Sequence, residues 1–153
     1  MQNYSVLMSV YHKEKPEYLR QAIESIQAQT LSTNDFVLVC DGPLNEPLDS
    51  VIAAKQQEMG ESLNVVRLAK NGGLGNALNE GIKHCKNELV ARMDSDDIAY
   101  PDRCEKQIAV FNIHSEVSIC SGIVEEFTTD PHTVDTRRVP PETNAEIVEF
   151  AKK

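Results

Sequence analysis

The sequence predicts an α/β fold, a three-layer αβα arrangement built on a mostly parallel sheet. Three observations predict it. Short apolar, β-prone runs alternate with segments whose apolar residues recur every three or four positions. The run Phe36-Val37-Leu38-Val39-Cys40 is apolar without alternation, as a central parallel strand covered on both faces must be. Polar turns carrying Gly, Pro and Asp separate several of the strand-like runs from the helical patterns that follow.

Residues 4–11 form the first strand, apolar and β-prone throughout. Pro16 opens a helix whose apolar face is Leu19, Ala22, Ile23 and Ile26. The second strand, 36–40, is stopped by Asp41-Gly42-Pro43. Leu48, Val51, Ile52 and Lys55 mark a second helix, and residues 63–68 a third strand. Gly72-Gly73 turns the chain into a third helix with Leu74, Ala77, Leu78, Ile82 and Cys85 on its apolar face. Residues 89–93 form a fourth strand. Cys104, Ile108 and Phe111 define a fourth helix starting near Pro101. Residues 117–124 read as a fifth strand, 128–141 as a polar, Pro-bearing loop, and 143–151 as a last short helix. The order βαβαβαβαβ places helices on both faces of one sheet. With no repeat or linker in view, residues 1–153 are expected to form a single domain.

Composition narrows the function classes. The chain has 153 residues, 41% hydrophobic and 25% charged, the balance of a globular protein with a real core. Its net charge is −9 and no basic stripe is visible, which argues against nucleic acid as a partner. An acidic protein that binds an anionic ligand needs a cation between them. Cys40, Cys85, Cys104 and Cys120 lie singly, without the spacing of a zinc site, three of the four in apolar patterns, and read as reduced core thiols of a cytoplasmic protein. Met1 leads almost directly into the first strand, so no signal peptide is expected, and no apolar stretch reaches the length of a membrane span.

The run that carries the most chemistry is Leu89-Val90-Ala91-Arg92-Met93-Asp94-Ser95-Asp96-Asp97, an apolar strand ending in three carboxylates within four residues. Adjacent anions repel, and burying them is costly unless a cation arrives. Mg2+ or Mn2+ takes one or two carboxylates together with phosphate oxygens. At a strand end this reads as a metal–diphosphate site. Plainer readings compete: a solvated acidic loop, or Asp97 as a helix cap before Pro101. An EF-hand starting at Asp94 fails at Ile98 and Ala99. A phosphatase of the haloacid dehalogenase type, with Asp94 as nucleophile and Asp96 as acid, would place this motif after its first strand.

In a parallel sheet the loops after the strands gather at one edge. Four polar turns belong there: Tyr11-His12-Lys13-Glu14, Asp41-Gly42-Pro43, Lys70-Asn71-Gly72-Gly73, and residues 94–97. The Gly pair allows close backbone approach to a ligand, with helix N–H groups behind it. Asp41 offers an acceptor for a base or a sugar hydroxyl. Each also has an ordinary reading: Asp41 as a turn residue, the Gly pair as a tight strand-to-helix connection, His12 as an exposed loop residue. Gly73-Leu74-Gly75 is half of a dinucleotide fingerprint, but Leu78 stands where its third Gly belongs.

Together these segments resemble glycosyltransferase family 2. They are Ser9-Val10-Tyr11, then Ser25-Ile26-Gln27-Ala28-Gln29-Thr30, then Cys40-Asp41-Gly42, then Asn71-Gly72-Gly73-Leu74-Gly75-Asn76-Ala77-Leu78-Asn79-Glu80-Gly81-Ile82, then Met93-Asp94-Ser95-Asp96-Asp97 followed by Pro101. The order and spacing agree over about residues 4–125, and the look is closest to bacterial polysaccharide-biosynthesis enzymes of the amylovoran type. The resemblance implies a GT-A fold and a metal-dependent hexosyltransferase that acts with inversion. Its donor would be a nucleotide-diphospho-sugar, expected to be UDP-linked, and its acceptor a glycan or a lipid-linked sugar. By the same resemblance Ser9, Val10 and Tyr11 line the nucleotide pocket, and Asp41 meets the base. Asn71 and Gly73 flank the nucleotide, and Asp94, Ser95 and Asp96 serve the diphosphate. Mn2+ or Mg2+ would sit on Asp96, helped by Asp94. It further implies a cytoplasmic location, at most at the inner face of the bacterial membrane.

His12, Cys40 and Pro43 depart from the family pattern, which has Asn, Asp and Ser at those places. Family members also continue beyond the fifth strand into an acceptor-binding part that holds the catalytic base. Glu125 and Glu126 read as surface charges at a strand end. The base is therefore expected beyond Lys153, and the chain to be the donor-binding part of a longer protein, inactive in transfer by itself. A nucleotidyltransferase is the alternative, although it would need a basic, Gly-rich loop after the first strand, and residues 11–15 contain no Gly. A module that binds nucleotide-sugar without turnover is the third reading.

Overall fold

Four of the apolar runs become parallel strands, β1 (Tyr4–Val10), β2 (Phe36–Cys40), β3 (Leu63–Arg67) and β4 (Leu89–Asp94), in the order β3-β2-β1-β4. The computed structural model describes residues 3–150 and 152. The chain divides into two compact units, Met1–Ile108 and Ala109–Lys153. The sheet and the predicted site lie in the first.

Helix α1 (Pro16–Gln27) starts at its proline and buries Leu19, Ala22, Ile23 and Ile26, the face expected from their spacing. Helix α2 (Glu46–Met59) is capped by Asn45, whose side chain accepts from Leu48 N–H at 3.0 Å. Gly60, at φ +57°, ends it. Lys55 sits on its apolar face because its ammonium is paired, 3.1 Å from Glu24 and 2.8 Å from Glu58. Helix α3 is Leu74–Gly81, and α4 is Arg103–Ile113.

Side chains alternate across each strand, so the sheet builds a core on each face. On one face Val6, Met8, Val10, Leu38 and Cys40 pack with Leu19, Ile23, Leu48, Ile52, Cys104 and Ile108. On the other, Leu7, Val37 and Val39 meet Ala77, with Leu78, Cys85 and Val90 half-buried around them. Helix α3 lies close to this second face: a Cβ on Gly81 would come within 2.5 Å of Leu7 Cδ1 and 2.6 Å of Val39 Cγ2. At the amino ends of the strands, buried Asp35 accepts from the Ser5 hydroxyl and, at 2.7 Å, from Lys86 N–H. This satisfied carboxylate pins the starts of β1, β2 and β4 together.

Several expectations are corrected. The third helix buries less than its pattern predicts: Leu74 is 50% and Ile82 54% exposed, and the helix passes into a 3-10 turn after Gly81. The first strand ends at Val10, leaving Tyr11 exposed. Asp97 caps no helix, since α4 begins six residues later at Arg103. Cys40 and Cys104 are buried, whereas Cys85 and Cys120 are half-exposed.

The larger correction is in the second unit. Residues 117–123 form no strand; the chain pairs only over β5 (Val124–Glu126), antiparallel to β6 (Thr136–Arg138) inside the segment expected to be loop. Ser118, Ser121 and Gly122 interrupt the β-branched residues, and Ile119 is 87% exposed. β-propensity expresses fit to a packed, pleated surface, and these residues find no such surface. Helix α5 (Asn144–Phe150) matches the expected last helix; its predicted end at Ala151 falls outside the described residues.

Candidate functional site

The chain runs outward from β1 through β2 to β3, then returns across β1 to begin β4 on its other side. That reversal lies between β1 and β4, and in open parallel sheets ligands bind beyond the carboxyl ends of strands at such a point. The register fixes what meets there. Ser9 is opposite Asp94, and on the other side Val10 is opposite Cys40. The strand ends thus bring together three of the four predicted loops, and the fourth is drawn in by Asp41.

Asp41 follows β2 and is 3% exposed. Its Oδ1 accepts from Gly72 N–H at 2.8 Å and its Oδ2 from Gly73 N–H at 2.9 Å. Its carbonyl accepts from the Asn71 side chain at 3.2 Å, and its N–H donates to the Val10 carbonyl at 2.8 Å. A buried carboxylate is tolerable when backbone donors meet both oxygens. Asp41 therefore shapes the Asn71–Gly73 turn that leads into α3. Gly42, at φ +85°, makes this possible: a Cβ there would fall 2.5 Å from Asn71 N. Gly73, also at φ +85°, is the N-cap of α3. Asn71 and Gly73 are exposed, as is Tyr11; Ser9 is half-buried, and Val10 is buried with its carbonyl engaged.

The acidic loop follows β4. Asp94 is half-buried and paired with Arg92, two residues back on the same face of the strand. Asp96 is exposed. Burial, and then the anions of Asp94 and Asp96, hold the Asp97 carboxyl above the usual carboxylate range, against the pull of Arg92 and Arg103. Arg103 braces β4 just before the loop, donating from α4 to the Arg92 carbonyl at 2.8 Å and, within α4, to Gln107 at 3.2 Å. Ser95 is 6% exposed and its hydroxyl donates to Glu14 at 2.6 Å. Among the described residues no three His, Cys, Asp or Glu side chains converge as a ready-made metal cage.

Sequence patterns assign no role to Glu14, Arg92 or Arg103, although each stands within or beside a segment they single out. Each is an ordinary charged residue in sequence and acquires its place through a partner that only the fold supplies.

The chain belongs to glycosyl transferase family 2, whose model matches residues 5–152. It is 44% identical over 149 residues to the amylovoran biosynthesis glycosyltransferase AmsE of Erwinia amylovora, covering 97% of this chain and 54% of that protein. It is 34% identical over 149 residues to an Escherichia coli UDP-Gal:alpha-D-GlcNAc-diphosphoundecaprenol beta-1,3-galactosyltransferase, covering 97% of this chain and 53% of that one. The structure of S. aureus TarS 1-349 in complex with UDP-GlcNAc superposes with a TM-score of 0.62 at 27% identity, over 74% of this chain and 32% of that one. The fold is that of the GT-A glycosyltransferases. The chain spans about half the length of the curated relatives it matches.

Proposed function

We propose that these residues form the donor-binding part of a metal-dependent, inverting glycosyltransferase that uses a UDP-sugar. The observation that carries the reading is the pairing of Ser9 with Asp94 at the switch point, beside the Asp41-held glycine turn. Nucleotide would lie across the ends of β1 and β2, against Ser9, Val10 and Tyr11, with Asn71 and Gly73 at its side. Asp41 keeps free lone pairs beyond those given to the turn, and these can accept from the N3–H of uracil. The names of two similar proteins agree with this donor class: one uses UDP-Gal, the other is bound to UDP-GlcNAc.

The donor set fits Mg2+ or Mn2+. Both ions prefer oxygen, take one or two carboxylates and complete their shell with phosphate oxygens. Asp96, exposed, would be the direct ligand and Asp94 its support; the ion would offset the charge of the departing diphosphate. The Asp97 carboxyl is raised first by burial and then by the anions of Asp94 and Asp96, so charge crowding in the loop is part of the cause. Inversion follows if an acceptor hydroxyl attacks the anomeric carbon opposite the diphosphate, giving its proton to a base. That acceptor is a glycan or a lipid-linked sugar; the name of the E. coli relative gives the second kind, a GlcNAc-diphosphoundecaprenol, for that enzyme. A lipid-linked acceptor would put the reaction at the cytoplasmic face of a membrane, although no described helix is long and apolar enough to cross one.

Calorimetry with UDP, in Mn2+ and then in chelator, tests the proposal. Binding that needs the metal supports it. Equal affinity in both, or no affinity for any nucleoside diphosphate, rejects it.

A further inference from the structure

Glu14 closes the turn after β1, one of the four turns expected at this edge, and no sequence pattern assigns it a role there. Its N–H donates to the Tyr11 carbonyl at 3.1 Å, closing that turn, and one carboxylate oxygen accepts from Lys15 N–H at 2.8 Å. The other oxygen accepts from Ser95 Oγ at 2.6 Å, across 81 residues of chain. On its far side the same turn is held by Asn45, whose amide donates to the His12 carbonyl at 3.0 Å. Residues 11–14 are thus fixed at two points, one of them the residue between Asp94 and Asp96.

We infer that Glu14 is a positioning residue, which through Ser95 holds the acidic loop in register with the turn that carries Tyr11. The inference rests on the metal–diphosphate reading of that loop. Asp94, Asp96 and Asp97 repel one another, and an exposed acidic loop left alone would spread its carboxylates into water. The half-buried Glu14 carboxylate anchors the loop at its centre, through Ser95. The bond also assigns Ser95. A hydroxyl has one proton, and this one is given to Glu14, so Ser95 offers only lone pairs to its other neighbours. It cannot donate to a phosphate while the latch is closed. Ser95 acts by holding its two neighbours in place, and contact with the donor falls to Asp94 and Asp96. Charge-assisted hydrogen bonds to carboxylate are among the stronger ones, so a half-buried bond of this kind can fix a loop.

The test is UDP titration of wild type, Glu14→Ala, Glu14→Gln, Ser95→Ala, Ser95→Thr and the Glu14→Ala/Ser95→Ala double variant, each with Mn2+ and with chelator. Thermal unfolding is followed alongside. The quantity read is the ratio of the two affinities. Glu14→Ala and Ser95→Ala are each expected to reduce that ratio about tenfold, with the metal-free affinity unchanged. The double variant should be no worse than either single one. Glu14→Gln and Ser95→Thr keep an acceptor and a hydroxyl, and should stay within about threefold of wild type. A purely structural role would lower the unfolding temperature and both affinities together. A wild-type ratio in Glu14→Ala, or additive losses in the double variant, would overturn the inference while leaving the metal reading intact. A wild-type protein whose UDP affinity ignores Mn2+ would remove the metal reading, and the inference with it.

Discussion

Replacing Asp41 by Asn changes one atom of a buried side chain and tests two roles at once. The carboxylate accepts from Gly72 and Gly73 N–H at 2.8 and 2.9 Å. An amide of the same shape can accept from one of them; its NH2 faces the other, donor against donor. One charge-assisted bond, worth about 1.5–3 kcal/mol, is lost and the remaining one is weakened. The two glycines are exposed, so water can reach a freed N–H and the cost falls toward the lower end. We expect about 2 kcal/mol, read as a fall of about 1 M in the urea midpoint at pH 7. Binding separates the second role. If Asp41 only shapes the turn, UDP, CDP and GDP weaken alike. If it also accepts from uracil N3–H, UDP weakens by about tenfold or more beyond the loss seen for CDP, whose ring nitrogen there is a bare acceptor. An unchanged urea midpoint would refute the role in the turn. An unchanged ratio of UDP to CDP affinity would refute the reading of the base.

Other consequences can be checked in parallel. Asp96→Ala should abolish the Mn2+-dependent part of UDP binding, a loss of about tenfold or more by calorimetry, with little change in thermal stability because Asp96 is exposed. Gly42→Ala combines a φ of +85° with a Cβ placed 2.5 Å from Asn71 N, and should cost about 2 kcal/mol or more in urea unfolding. Burial pushes the Cys40 thiol up to about 11, from an ordinary 9.0. Between those values the unfolded chain has lost the proton that the fold keeps. The contribution is therefore full below about pH 9 and lost as pH rises toward 11, by about 3 kcal/mol. Urea midpoints from pH 7 to 11 should show it, and Cys40→Ala should flatten that part of the curve.

The parts of the fold that were legible are those where local chemistry and tertiary demand coincide. Phe36–Cys40 is apolar on both faces and lies where both faces are covered. Pro16 acts within one turn of its own position. Residues 117–123 and Leu74 show the limit. Apolar pattern states which residues would gain from burial, and partners decide whether burial occurs. The site divides in the same way. Asp94, Asp96 and the glycine pair announce themselves by crowding unusual residues together. Glu14 matters through Ser95, 81 residues away in sequence, and no local pattern encodes that distance.

The carboxylates around the strand ends then resolve into two kinds. Asp41 has two backbone N–H groups, Glu14 has a hydroxyl and a backbone N–H, and Asp35, at the opposite edge, has a hydroxyl and a backbone N–H. Each meets fixed donors, so its charge is locally compensated and its work is done on the chain itself. In the acidic loop the balance differs. Arg92 reaches Asp94 on the strand, Asp96 stands in solvent, and Asp97 holds its proton more tightly than an isolated carboxyl, first through burial and then because Asp94 and Asp96 are charged. A protein of net charge −9 has little reason to bind a diphosphate through acids that its own backbone already satisfies. Under the proposed function it would do so through the acidic loop, whose surplus charge would attract a hard divalent cation that the phosphates also favour.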